Sequence, residues 1–170
     1  MTPPRTANAD RYWAQYLESL PPERRPAAPY AEAFFFGIVP ADAPEISPLV
    51  LDGTKTATGS SYWSYEADPN KRFPGVGDRW VVTNGADDPV CIIETIDVRV
   101  IPYEEVGEDY AREGGEGDKS LVTWRDIYWR YLVSECAKLG REPTRQAPLV
   151  MERFRVVYRE PFSSSREPVG

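Results

Sequence analysis

The chain has 170 residues, 41% of them hydrophobic and 12% aromatic, enough for one well-buried core in a single domain with extensions. Its 20 Lys and Arg against 27 Asp and Glu leave a formal charge of -7, which works against indiscriminate binding to long nucleic acid or anionic membranes and confines any anion site to a local basic pocket. Histidine is absent, which excludes Ser-His-Asp and Cys-His arrangements, histidine metal cages and imidazole chemistry, so catalysis has to run on Lys, Asp/Glu, Tyr, Thr or Ser.

Met1 to Asn8 are polar and Pro-rich and read as a loose end. From Asp10, an expected N-cap, Tyr12, Trp13, Tyr16, Leu17 and Leu20 recur at helical spacing and predict a short amphipathic helix appended to the body of the protein. Pro21, Pro22, Pro26 and Pro29 make an extended connector, so residues 1–30 stand apart from a domain over 31–159, with a flexible tail at 160–170. No apolar leader or membrane-spanning run occurs, and Cys91 and Cys136 sit in apolar stretches as buried free thiols. The expectation is a cytoplasmic protein without a membrane partner; its oligomeric state is not legible.

Ala31 to Phe36 predicts the first strand, and Ser47-Pro48 to Asp52-Gly53 a short helix that delivers the chain into Lys55. Thr56 to Trp63 has the composition of a strand, Ser64 to Gly77 of a loop, and Arg79 to Thr83 of a second strand. Pro89 to Val100 is a long strand whose apolar residues change face part-way, which predicts a bulge or bend. Tyr103 to Arg112 is an acidic helix and Lys119 to Leu139 the longest one, with Leu121, Trp124, Tyr128, Leu132, Cys136 and Leu139 along one face; Leu149 to Tyr158 is the last strand. Short strands with helices inserted between them, without a βαβ rhythm, point to an α+β protein built on a small, partly closed barrel.

The chemistry concentrates in Leu51 to Ser61, where a Gly53-x-Lys55-x-x-Thr58 spacing lies among further threonines and serines. A lysine beside small hydroxyls can polarise a carbonyl, hold a phosphate or activate a hydroxyl nucleophile. Gly53-Thr54-Lys55-Thr56-Ala57-Thr58 resembles the GxKxxT signature of the ASCH domain. Gly115-Glu116-Gly117-Asp118-x-Ser120-Leu121-x-x-Trp124-Arg125 resembles the EGEGDxSLxxWR block of that family's bacterial branch, a far more specific match, with a chance probability on the order of 10⁻¹⁰ per position. Phe36-Gly37, Gly77-Asp78 and Glu152-x-Phe154-x-Val156-Val157-Tyr158 fall in the matching order, so the similarity runs from about Glu32 to Tyr158. The block departs from the pattern at two places: Gly114 stands where its first acid usually lies, beside Glu113, and Tyr128 stands where a histidine usually follows Trp-Arg.

The resemblance implies a small PUA-like β-barrel with inserted helices and a cleft beside the lysine motif for a nucleobase, nucleoside or RNA. It also implies either an amidohydrolase acting on N4-acylcytosine nucleosides such as N4-acetylcytidine, a ribonuclease, or a non-catalytic binder of RNA or a modified nucleotide. For amide cleavage the inference assigns Lys55, Thr58 as nucleophile and Glu116 as proton carrier, with Thr56, Tyr62, Trp63, Glu113 and Arg125 binding substrate and no metal or cofactor. Lys55 acts as a base if burial dominates its surroundings, and as a fixed cation that tolerates Lys55→Arg if Glu116 lies close. Tyr62, Trp63 and Tyr65, near Lys71 and Arg72, are the expected stacking residues; Trp124, Tyr128, Tyr131 and Leu132 are expected in the core, and Asp118 as the N-cap of the long helix.

Overall fold

Thr6 starts the first helix, four residues before the expected cap. Its hydroxyl accepts the Ala9 N–H at 3.1 Å, and α1 runs over Ala7–Ser19. Asp10 has a different task, accepting the Tyr30 hydroxyl at 2.6 Å. These details come from a computed structural model, which describes residues 5–163.

The described chain divides into two units. The first takes residues 5–47, 78–94 and 156–163. In it, β1 (Ala33–Phe34) pairs in parallel with β3 (Arg79–Thr83), which pairs antiparallel with the start of β4 (Pro89–Pro102). The register slips between Val82 and Thr83, whose partners are Cys91 and Pro89, so the bulge falls at Val90, earlier than the apolar pattern implied. The first helix is no appendage here. Ala9, Tyr12, Trp13 and Tyr16 are buried with Tyr30, Ala33, Val81 and Ile92, because each aromatic ring removed from water contributes about 1.5–3 kcal/mol and the short strands alone offer little to bury. The Tyr12 hydroxyl donates to the Glu160 carbonyl at 2.6 Å and its ring meets Phe162 at 6.0 Å, so Glu160–Ser163, expected in a flexible tail, pack on this helix. The rest of that tail, and the first four residues of the expected loose end, lie outside the described residues.

The second unit comprises residues 48–77 and 95–155. Here β2 (Ala57–Ser61) runs antiparallel to β5 (Pro148–Tyr158), from Ala57 opposite Arg153 to Ser61 opposite Leu149. The β2–β5 pairing stops at Ser61 opposite Leu149, with only Pro148 of β5 beyond it, so Tyr62 and Trp63 have no ladder to join. Despite their β-propensity they form a short helix, α3 (Tyr62–Ala67), where a strand end and loop were expected. The expected acidic helix is split into a 3-10 turn at Tyr103–Glu105 and α4 (Glu108–Gly114). The longest helix, α5 (Leu121–Leu139), buries Trp124, Tyr128, Leu132 and Cys136 at the predicted spacing, with the Trp124 and Tyr128 rings stacked at 4.3 Å. Its N-cap is Ser120, which accepts the Thr123 N–H at 3.2 Å. Asp118, expected in that role, accepts the Ser120 N–H at 2.9 Å instead, and hydrogen bonds hold its carboxyl at about 2.

The helix before Lys55, α2 (Ala43–Leu51), begins four residues ahead of the expected Ser47 cap. A 3-10 turn at Pro40–Asp42 feeds it, locked by the Asp42 carboxylate accepting the Ile38 and Val39 N–H groups, and Pro48 falls inside the helix. The strands follow the order β1-β3-β4-β5-β2 in one mixed five-stranded sheet, giving the expected α+β class. Cys91 and Cys136 are buried free thiols, and burial pushes Cys91 up to about 12. Among the described residues no helix is long and apolar enough to cross a membrane.

Candidate functional site

Lys55 lies between α2 and β2, held on both sides by backbone bonds. Its N–H donates to the Leu49 carbonyl at 2.9 Å, the Thr56 N–H to the Glu113 carbonyl at 2.7 Å, and the Thr56 carbonyl accepts the Phe154 N–H at 3.0 Å. This junction directs the side chain inward, where it is only 3% exposed. The ammonium donates to the Gly114 carbonyl at 3.3 Å and lies 3.8 Å from the Glu116 carboxylate. Burial pulls its pKa below the ordinary lysine range, and the attraction of Glu116 opposes that shift without reversing it.

The turn that supplies both partners can approach because of Gly115. It caps α4 in the left-handed conformation, φ 72°, and a Cβ there would lie 2.5 Å from the Thr54 carbonyl oxygen and 2.9 Å from the Lys55 nitrogen. Glu113, one turn earlier, contributes its carbonyl to this junction, but its carboxylate is taken by Arg153 at 2.6 Å. Arg153 also reaches Asp97 at 3.0 Å and the Tyr110 hydroxyl at 3.1 Å. Glu113 and Glu116 thus serve two different cations.

Thr58 sits on β2 opposite Glu152, near enough to the Tyr128 hydroxyl to lower its pKa, and that hydroxyl accepts the Gly59 N–H at 2.9 Å. Burial first, then the Glu116 and Glu152 carboxylates, raise the Tyr128 pKa, so the phenol keeps its proton. Glu152 in turn accepts the Thr95 hydroxyl at 3.3 Å. Lys55, Glu116, Tyr128 and Thr58 therefore influence one another in series: ammonium to carboxylate by ion pairing, carboxylate to phenol by charge, and phenol to threonine by electrostatic proximity. Tyr128 and Glu152 were not among the sequence candidates, because a tyrosine in a helical stripe reads as packing and a glutamate in a strand reads as solvated.

The family profile of the ASCH domain matches residues 32–158. The chain belongs to the ASCH domain family. ASCH domains are linked in general to RNA and nucleotide binding. Among solved structures, the ASCH domain from Lactobacillus crispatus JV V101 is 34% identical with a TM-score of 0.82, over 90% of this chain and 96% of that one. Protein EF3133 from Enterococcus faecalis V583 is 26% identical with a TM-score of 0.77, over 89% of each chain. The hypothetical protein PH0355, 16% identical with a TM-score of 0.51, covers 74% of this chain and 97% of its own and shares the fold alone. No curated protein matches. The α+β sheet and helices described above are thus an ASCH fold of the PUA-like kind.

The remaining candidates in this ASCH domain are dispersed. Tyr62 meets Phe73 edge-on at 6.2 Å, and Tyr65 meets it at 5.1 Å under the Lys71 ammonium, which lies 4.5 Å from the Tyr65 ring. Trp63 packs on the core with the Arg141 guanidinium 3.8 Å over its ring. Arg125 is not brought to Lys55. It donates to the carbonyls of Tyr103, Glu104 and Val106, the last two at 2.9 Å, and so ties the 3-10 turn to α5. Arg125→Lys is expected to lower stability by about 1–3 kcal/mol, since one ammonium cannot reproduce a planar fork serving three backbone carbonyls. Urea unfolding checks this, and an unchanged midpoint would show that the fork carries no stability.

Proposed function

We propose that this ASCH domain binds the base of a modified nucleoside beside Lys55 and hydrolyses an acyl amide on it, N4-acetylcytidine being the most concrete substrate. The observation that carries the reading is the buried Lys55 ammonium 3.8 Å from Glu116, linked to Thr58 through Tyr128. Glu116 is close, as a fixed cation needs, while burial is the larger of the two effects and eases loss of the Lys55 proton, which supports proton exchange.

In the proposed reaction the Thr58 oxygen attacks the amide carbonyl while its proton passes to Lys55 in its deprotonated form, which burial makes more accessible than for an ordinary lysine. The tetrahedral intermediate then breaks its C–N bond, and the proton returns through Glu116 to the leaving N4 nitrogen, releasing cytidine. Water next cleaves the acyl-threonine ester, releasing acetate and restoring the hydroxyl. Tyr128, protonated throughout, keeps the threonine oriented. The net charge of -7 favours a small uncharged substrate over long RNA.

A second reading, a non-catalytic binder of RNA or a modified nucleotide, draws on one observation: the titratable group that Thr58 influences is Tyr128, a phenol that keeps its proton and raises no nucleophile. Incubating the protein with N4-acetylcytidine and with short single-stranded RNA, beside Lys55→Ala and Glu116→Ala, separates the readings. Cytidine release by wild type alone is the expected result. Binding without turnover replaces the hydrolase with the binder, and RNA cleavage replaces it with a ribonuclease.

A further inference from the structure

The second unit carries a concavity away from Lys55. An open groove of about 960 Å³ lies between the Tyr103–Glu105 turn, α5 and residue 145, and shares no lining residue with Lys55, Glu116, Thr58 or Tyr128. Its volume is at the upper end of the range of small-molecule clefts, about 300–1,000 Å³. In a chain of charge -7 it gathers the guanidiniums of Arg125, Arg130 and Arg145 around the Trp129 indole.

The arginines have different tasks. Arg125 is occupied by backbone carbonyls and forms a fixed positive wall. Arg130 and Arg145 are exposed. Arg130 donates only its Nε, to the Asp126 carbonyl at 3.4 Å, which leaves both terminal nitrogens to point at a ligand, and the Arg145 side chain makes no hydrogen bond among the described residues. Two acids line the same groove, but the Glu104 carboxylate accepts from Gln146 at 3.2 Å and Asp126 is exposed to water. Trp129 is half-buried, with Tyr103 tilted against it at 5.4 Å, and lines the groove together with Arg130 and Arg145.

We propose that this groove binds the phosphate and ring of a nucleotide, Arg130 and Arg145 forking the phosphate oxygens and Trp129 carrying the base. Two forks backed by a third fixed cation suit a doubly charged phosphate better than a single carboxylate, and the indole adds a platform that inorganic phosphate cannot use. The site stands independently of the reaction proposed at Lys55.

Calorimetric titration of the full chain with CMP, cytidine and inorganic phosphate, in wild type and in Lys55→Met, tests it. CMP is expected to bind equally well to both proteins and at least about tenfold more tightly than either fragment, with Arg130→Gln and Arg145→Gln each weakening it about tenfold. A cytidine hexanucleotide identifies the source of the phosphate: equal affinity with CMP points to a free nucleotide, whereas tighter, steeply salt-dependent binding points to an RNA phosphodiester, and either supports the groove. Wild-type affinity for CMP in the Arg130→Gln/Arg145→Gln variant, or loss of CMP binding in Lys55→Met, would overturn the proposal. Because both arginines are exposed, an unchanged melting temperature shows that the variants remain folded.

Discussion

Lys55→Met is expected to cut turnover of N4-acetylcytidine by about three orders of magnitude while leaving the protein as stable as wild type or more so. The first effect follows from removing the group proposed to take the proton of Thr58. The second follows from burial: the lysine is 3% exposed, and desolvation outweighs the attraction of Glu116. Methionine fills nearly the same volume without a charge, and Glu116, 19% exposed, retains access to water. Removing one partner of a buried ion pair is costly only when the other charge is left buried, so with Glu116 hydrated the change is expected to be neutral or stabilising by about 1 kcal/mol, or about 2–4 °C in melting temperature. The pH dependence adds a further check. The folded protein holds the Lys55 proton less tightly than the unfolded chain, whose lysine titrates near 10.5. Between the lowered folded value and 10.5 the unfolded state binds more protons, so stability due to this group rises with pH across that window. That part of the slope should vanish in Lys55→Met. A variant that melts well below wild type would show that the ion pair is a structural asset and that the lysine was not retained at a cost to stability.

Such a trade is typical of a functional site, and it bears on what the sequence could reveal. The meeting of residues 55 and 116 was legible because both lie in spaced motifs, and the Gly115 that permits it belongs to the second motif. The buried stripe of α5 was legible from its period. Other features depend on information that exists only after pairing. Tyr62 and Trp63 carry strand propensity, yet the pairing with β5 stops at Ser61, so they turn into a helix. Glu152 becomes part of the site only because the register sets it opposite Thr58. Arg125 follows the tryptophan in the motif as expected, but its fork meets backbone carbonyls from a 3-10 turn whose place no local pattern announces. Asp118 and Ser120 both suit an N-cap, and the left-handed Lys119 between them, φ 62°, gives the role to the serine.

Gly115→Ala is expected to destabilise the fold by about 3–5 kcal/mol and to disable the site in whatever protein remains folded. Two independent costs combine. The residue holds φ 72°, a region where any Cβ is strained, and the added carbon would lie 2.5 Å from the Thr54 oxygen and 2.8 Å from the Thr54 carbonyl carbon. Those neighbours are backbone, fixed by the Lys55–Leu49 and Thr56–Glu113 hydrogen bonds, so relief requires the Glu113–Gly117 turn to withdraw, carrying Glu116 and the Gly114 carbonyl away from the ammonium. Gly114→Ala is the matched control. It lies at the end of α4, and its Cβ would stand 3.5 Å from Trp124 Cδ1, an ordinary contact, so its stability should change by no more than about 1 kcal/mol, with improvement favoured by helix propensity. Urea midpoints of the two variants, read beside activity, give the comparison. Equal, small effects at both positions would mean that the turn yields freely, and the close approach would then cease to explain how a carboxylate 61 residues further along the chain is held against a buried lysine.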